Sequence, residues 1–415
     1  MRSNYKPLGQ YIQEVNDRDT DLKVDLLLGV SIQKTFMPSI ANTIGTDMST
    51  YKIVKKNQFA YGPVTSRNGD KISIALLEDY NEAIISQAYT PFRVKDTNEL
   101  LPEYLMMWFR RPEFDRYARF MSHGSAREIF GWEEMCNTLL PVPSITKQKE
   151  IVKEYNVIQN RIALNQKLIQ KLEETAQAIY KQWFVDFEFP DGNGKPYKSN
   201  GGEMVKSELG EIPKGWVVES LKNCCTKIGS GATPDGGKEN YHKSGISLIR
   251  SLNVHDYTFT SNDLAFINNN QATELGSVEI YSDDVLLNIT GVSVARCCMV
   301  PKYVLPARVN QHVMIIRPKK QLYINHYLLC LLCYSENKSK LLGISQSGST
   351  REAITKTEIE QFSIILPIDE VAKVFDSLAR TIIKSIEKNV LINKKLTELS
   401  NLLLSKLATV EDSCE

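Results

Sequence analysis

One spacing rule governs residues 144–186. Stepping alternately by four and three residues picks out Ile151, Tyr155, Ile158, Ile162, Asn165, Ile169, Leu172, Ala176, Ile179 and Trp183. Lys, Glu and Gln occupy the other faces, and no Pro or Gly interrupts the stretch. A 4-3 repeat is the pattern of a long helix offering one narrow seam to a partner helix. At 1.5 Å per residue such a helix would be roughly 60 Å long, a spacer rather than a packed core helix.

The partner is written in the same chain. Gly124-Ser125-x-Arg127-Glu128 recurs as Gly348-Ser349-x-Arg351-Glu352, an offset of 224 positions (348 less 124). At that offset Glu134 meets Glu358, Pro143 meets Pro367, Lys149 meets Lys373 and Asn165 meets Asn389. Upstream, Gln87 lands on Gln311 and Arg93 on Arg317. The seam carries over as Phe375, Ala379, Ile382, Ile386, Asn389, Asn393, Leu396, Ser400, Leu403 and Leu407. Two unrelated amphipathic helices would not share these identities in one register, so the chain is an internal duplication.

The order is domain, helix, linker, domain, helix. Residues 1–143 mix short strands and turns, with strands at Tyr51, Asn57, Lys71 and Ser86–Val94 and a helix opening at Pro102. Helix one covers 144–186. Residues 187–214, rich in Gly, Pro, Ser and Lys, read as an exposed linker. Residues 215–367 repeat the first domain, 368–407 the helix, and 408–415 form a polar tail. The fold class is α+β: two β-rich α/β domains separated by two long antiparallel coiled-coil helices in a pseudo-twofold duplication. In that arrangement Asn165 and Asn389 face each other near the pseudodyad and set the helix register. The competing reading leaves each asparagine solvated beside the seam.

Chemistry is harder to find. The Gly229-Ser-Gly-Ala-Thr-Pro-Asp-Gly-Gly loop lacks the Gly-Lys-Ser/Thr ending of a P-loop, though its amides with Ser230 or Thr233 could touch a phosphate. Cys330-x-x-Cys333 with His326 lacks a second ligand pair at metal-finger spacing and sits in an apolar helix, as core cysteines do. The histidines (His123, His242, His255, His312, His326) accompany no nucleophile elbow or zinc motif, and no Asn-Pro-Pro-Tyr tetrapeptide is present. The chain reads as non-catalytic, with no metal site. Adjacent cysteine pairs, the absence of a signal-peptide core and no membrane-length apolar run give a cytoplasmic protein that does not meet a membrane.

What remains is recognition. Arg67, Asn68, Lys71, Gln87, Arg93 and Arg127 in the first domain join Ser230, Thr233, Lys238, Arg250, Asn253, Arg296, Gln311, Arg317 and Arg351 in the second as candidate nucleic-acid contacts. Arg forks onto guanine, Asn and Gln onto adenine, and Ser, Thr and Lys hold phosphates. A solvated or salt-bridged role competes at each position, and for Gly-Ser-x-Arg-Glu a structural Arg–Glu pair competes. Net charge is +1, so any basic surface is local and DNA affinity of the chain alone is expected to be modest.

Several stretches together resemble a known family: Gln87-Ala-Tyr-Thr-Pro-Phe-Arg-Val, Gly124-Ser-Ala-Arg-Glu with Leu140-Pro-Val-Pro, Trp183-Phe-Val-Asp-Phe, Leu209-Gly-Glu-Ile-Pro-Lys-Gly-Trp, and the Gly348 to Pro367 repeat. Over nearly its whole length the chain is similar to the DNA-specificity (S) subunit of type I restriction–modification enzymes. The resemblance implies two target-recognition domains, each reading one half of a bipartite double-stranded DNA site. It implies a helix pair that acts as ruler and as platform for two modification (methyltransferase) subunits. S-adenosylmethionine belongs to those subunits, and ATP with Mg to a restriction subunit that also joins in some systems. No cofactor is implied for this chain. A coiled-coil assembly scaffold whose globular domains bind protein stands as the alternative, as does the remnant of a fused restriction–methylation enzyme.

Overall fold

A computed structural model describes residues 5–39, 45–66, 68–124, 127–234, 237–346 and 353–410, without the side chain of Lys238. The chain divides into two compact units, residues 1–162 with 395–415, and residues 163–394.

The first unit holds β1 (Tyr5–Pro7), β2 (Ile12–Glu14), β3 (Leu27–Val30), β4 (Phe36–Pro38), β5 (Lys52–Lys55), β6 (Gln58–Tyr61), β7 (Ile74–Leu76), β8 (Glu82–Ile85), β9 (Thr90–Val94) and β10 (Leu139–Pro141). Its helices are α1 (Pro102–Phe109), α2 (Pro112–Phe120), α3 (Trp132–Asn137) and the start of α4 (Ile145–Tyr180). One sheet runs β2-β9-β6-β7, all antiparallel. The other runs β4-β3-β8-β5, with β3 and β8 parallel. Side chains alternate across β6: Phe59 and Tyr61 point to the helical core, while Ala60 faces the second sheet. In α1 every residue but Glu103 is buried, which is why its sequence is apolar all round.

The second unit opens with the remainder of α4, followed by β11 (Met204–Ser207), β12 (Gly210–Pro213), β13 (Val217–Ser220), α5 (Leu221–Cys224), β14 (Cys225–Ser230), β15 (Ile246–Ile249) and β16 (Ala265–Ile267). Then come α6 (Asn269–Glu274), β17 (Glu279–Ile280), β18 (Val285–Asn288), β19 (Cys297–Met299), β20 (Ala307–Val309) and β21 (Val313–Pro318). It closes with α7 (Asn325–Cys333), α8 (Ser335–Gln346), α9 (Lys356–Glu360), β22 (Ser363–Leu366) and α10 (Asp369–Lys406), whose last residues lie in the first unit. Its sheets run β14-β21-β18-β19 and β16-β15-β20-β17, with β15 and β20 parallel. Strand for strand this is the order of the first unit, and β13–β22 repeats the β1–β10 pair. The duplication read from the Gly-Ser-x-Arg-Glu motif therefore extends to the whole domain topology.

Within each unit the long helices run antiparallel. In the second, Asn165 lies level with Asn393, and Trp183 with Phe375, ring centroids 5.7 Å apart. In the first, Gln159 Nε2 donates to Ser400 Oγ at 2.9 Å, and Tyr155 shares a core with Leu404 and Leu407. Every seam position named from the sequence is buried or half-buried.

The expected Asn165–Asn389 pair does not form. Asn165, only 1% exposed, donates to Asn393 Oδ1 at 2.9 Å. Asn389 turns back along its own helix to the Ser385 carbonyl at 2.8 Å. The pairing is offset by one helical turn because Trp183 and Phe184 both pack on Phe375, and burying those rings sets the register. Asn393, four residues on in the same seam, supplies the partner.

Two readings of local structure also change. The segment 187–214 carries Phe187, Phe189 and Ile212 into the core beside Trp216, and β11–β12 is a hairpin rather than open linker. Gly/Pro-rich composition hid the few buried aromatics that anchor it. Residues Ser86–Tyr89 form a turn, closed by Tyr89 N–H to Ser86 C=O at 3.0 Å, and the strand begins only at Thr90. Gln87 and its counterpart Gln311 therefore both sit on turns that carry the chain from one sheet to the other.

Candidate nucleic-acid interface

In the second unit the ends of four strands meet. The Gly231 N–H bonds the Val313 carbonyl and the Ala232 N–H that of Val309, each at 3.1 Å. The Asn310 N–H reaches Ile249 at 3.0 Å, and the Ile289 N–H reaches His312 at 3.1 Å. The loops after β14, β15 and β18 and the β20–β21 turn thus form one edge. At Gly231 a Cβ would overlap the Val309 carbonyl, so the glycine lets two backbones touch.

Polar side chains pair along this edge. Thr233 Oγ1 donates to Gln311 Oε1, and Thr290 Oγ1 lies 2.7 Å from His312 Nδ1. Ser230 and Gln311 are exposed; Arg296 is half-buried. The Arg250 guanidinium reaches the Asp263 carbonyl and lies 5.6 Å from the Tyr241 ring centre. Ala353, the next residue in the sequence after the Gly348–Glu352 motif, pairs with Thr290 on this edge.

The first unit repeats the arrangement. Val64 pairs with Ile129, Thr65 N–H bonds Glu128 C=O at 3.0 Å, and Phe130 N–H bonds Pro63 C=O at 2.8 Å. The loop after β6 therefore meets the chain leaving Gly124–Glu128. Gly124 has φ +132°, and a Cβ there would overlap the Arg127 carbonyl, so the motif needs glycine. Glu128 pairs with Arg119, not Arg127, which stands exposed. The structural Arg–Glu alternative holds for the glutamate but with a different arginine. Lys71, Gln87 and Arg93 are exposed, with Arg93 between Gln13 and Gln58 on the neighbouring strands.

Three candidates serve the fold instead. Asn253 is fully buried; its amide donates to the Thr260 and Asn262 carbonyls at 3.0 and 3.1 Å and accepts the Arg250 N–H. Arg317 forks onto Asp284 at 2.7 and 2.6 Å, reaches the Glu279 carbonyl and stacks on Tyr281 at 3.9 Å. Burial pulls its pKa down, but the Asp284 carboxylate more than offsets that and the net shift is upward. Asn68 donates to the Val64 carbonyl at 3.2 Å, closing its own turn. All three have side chains of types that recognise bases, and each meets an acceptor within its own repeat first. Arg67, Arg351 and the Lys238 side chain lie outside the described residues. His326, considered beside Cys330 and Cys333, instead bonds Asp376 at 2.6 Å.

Sequence reasoning missed Thr290, Val292 and His312. The isolated residues carry no motif, and the offset of 224 puts Ser66 on Thr290; the matching bridges Val64–Ile129 and Thr290–Ala353 shift the register by two and set Val64-Thr65-Ser66 against Thr290-Gly291-Val292.

A family model described as type I restriction modification DNA specificity domain matches residues 31–174 and 213–399. The chain is 21% identical over 416 residues to the type I restriction enzyme HindI specificity subunit of Haemophilus influenzae, covering 87% of each. It is 26% identical over 317 residues to the MjaIX specificity subunit of Methanocaldococcus jannaschii, covering 74% of this chain and 68% of that one. Its fold is similar to the crystal structure of a type I restriction–modification S subunit from M. genitalium. There the TM-score is 0.56 and the identity 11%, over 98% of this chain and 96% of that one.

Proposed function

The chain belongs to the type I restriction–modification DNA-specificity family, and on that premise we propose that each repeat reads one half of a bipartite DNA site through its strand-end edge. The observation that carries this reading is that both repeats build the same edge, where the loop after β6 or β18 meets the exit of Gly-Ser-x-Arg-Glu. Such an edge offers Arg, Gln, Thr and Lys groups from rigid strand ends, and rigid placement is what sequence readout needs. Two readers on one chain raise each other's effective concentration, so each can bind weakly alone.

The helix pair sets the gap between half-sites and docks two modification subunits. Support comes from apolar residues exposed outside the seam: Leu164, Leu168, Val374 and Leu378 in the second unit, and Val157, Leu399 and Leu402 in the first. Apolar side chains on a helix's outer face suit further helices. Methylation, with S-adenosylmethionine, falls to those subunits, and ATP-driven cleavage with Mg to any restriction subunit that joins. This chain needs no cofactor for reading.

Exchanging residues 1–143 for those of a relative with a different target tests the proposal. Methylated adenines mapped in cells carrying the exchanged chain and its modification partner should change in one half of the site only. An unchanged sequence with lost assembly would favour a protein-binding scaffold.

A further inference from the structure

The turn after β18 ends in a side chain that its surroundings do not account for. Val292 is 101% exposed, at the tip of the short turn Gly291–Ser293. Single exposed apolar residues are ordinary, but this one sits on an over-determined backbone. The fully buried Asn288 amide donates to the Ser251 carbonyl at 2.9 Å and to Ser293 Oγ at 3.2 Å. The Ala295 N–H returns to the Asn288 carbonyl at 2.9 Å, and the Val294 N–H to Gly291 at 2.9 Å. Ala295 is held at φ +65°, a left-handed conformation that costs a non-glycine residue and persists where the surroundings impose it. The turn is thus a fixed pedestal, and its β-branched tip has few rotamers to lose on contact. Thr290, two residues before Val292, lies 2.7 Å from His312 Nδ1.

Resting on the DNA-reading proposed above, we propose that Val292 is a specificity residue that packs on the 5-methyl group of a thymine in the major groove of the second repeat's half-site. Thymine alone among the DNA bases shows a methyl group there, and apolar side chains read it by contact. Val is too short to wedge between stacked bases, a task done by larger apolar side chains. At the equivalent place the first repeat carries the polar, exposed Ser66, so the two edges present different chemistry to their half-sites.

The full chain, at about 50 mM salt where phosphate contacts are strong, selects duplexes from a randomised pool. In the enriched sequence each thymine is then replaced by deoxyuridine, which pairs identically but lacks the methyl. Wild type should lose about four-fold affinity at one thymine, the worth of one buried methyl group. Val292→Ala and Val292→Ser should bind thymine and uracil there equally. The same discrimination in the variants as in wild type, or an equal loss on both duplexes, overturns the assignment while leaving DNA reading intact. Failure of wild type to enrich any sequence overturns the reading itself.

Discussion

The two repeats share a skeleton and differ in what they bury. Strand order, the parallel β3–β8 and β15–β20 pairs and the motif exit recur. The buried ion pairs do not: the first repeat holds Lys34 of the β3–β4 turn to Asp115 of α2 at 2.7 Å, the second Arg317 of β21 to Asp284 just before β18. The ties to the long helices also differ. Gln148, at the start of α4, accepts the Leu101 N–H and donates to the Glu99 and Pro143 carbonyls. In the second repeat His326 of α7 bonds Asp376 of α10, which also holds Arg380 at 2.8 Å. Apolar patterning survives duplication because many residues satisfy it. Polar contacts inside need specific partners, so each repeat settled its own.

If the polar interiors are separate solutions, breaking one should weaken its own repeat. The largest loss is expected for Asp284→Asn, which strands the Arg317 charge: about 4 kcal/mol, as for other broken buried pairs, read from denaturant unfolding. Asp376→Asn takes the carboxylate acceptor from the buried His326 and from Arg380 and should cost about 3 kcal/mol. Burial pushes the Asp376 carboxyl up, but His326 and Arg380 more than offset it and hold it below the usual range. Its contribution is therefore present above about pH 4 and lost as pH falls through the depressed folded value. The Asn variant should accordingly match wild type in strongly acid buffer. Gln148→Ala leaves buried donors and acceptors unpaired and should cost about 2–3 kcal/mol, with no pH dependence of its own. Equal acid sensitivity of the Gln148 and Asp376 variants would collapse the comparison.

Helix pairing sharpens it further. Asn165→Leu alone removes the buried Asn165–Asn393 hydrogen bond and should lower stability by about 1–2 kcal/mol. Asn165→Leu with Asn393→Leu should recover it, whereas Asn165→Leu with Asn389→Leu should not. The smallest effect concerns Glu173, whose carboxyl is pushed up to about 7 by burial and then by Asp256 and Glu174. Its counterpart in the other helix is Thr397. Because the folded value is raised, ionisation opposes folding as pH climbs from about 4.3 through 7. Glu173→Gln should raise the melting temperature at pH 8 and leave it unchanged at pH 4.

Much of this architecture is legible without coordinates. The seams from Ile151 to Trp183 and Phe375 to Leu407 pack as their spacing says, and α1 and α7 fall where their apolar runs begin. The site is less legible. Asn253 and Arg317 have the side chains of base readers, yet backbone carbonyls and, for Arg317, the Asp284 carboxylate supply acceptors before any ligand can. Val292 looks like an interior valine until its turn is seen to face outward.

The amino-acid order alone determined the duplication, the two long helices and the family, because repeated identities and a 4-3 period are properties of the string. Only the tertiary structure decided that Asn165 meets Asn393, that residues 187–214 carry core aromatics, and which polar groups remain for a ligand. Those outcomes depend on competition among neighbours distant in sequence: ring burial against asparagine pairing, and buried acceptors against solvent. Local pattern does not contain that competition.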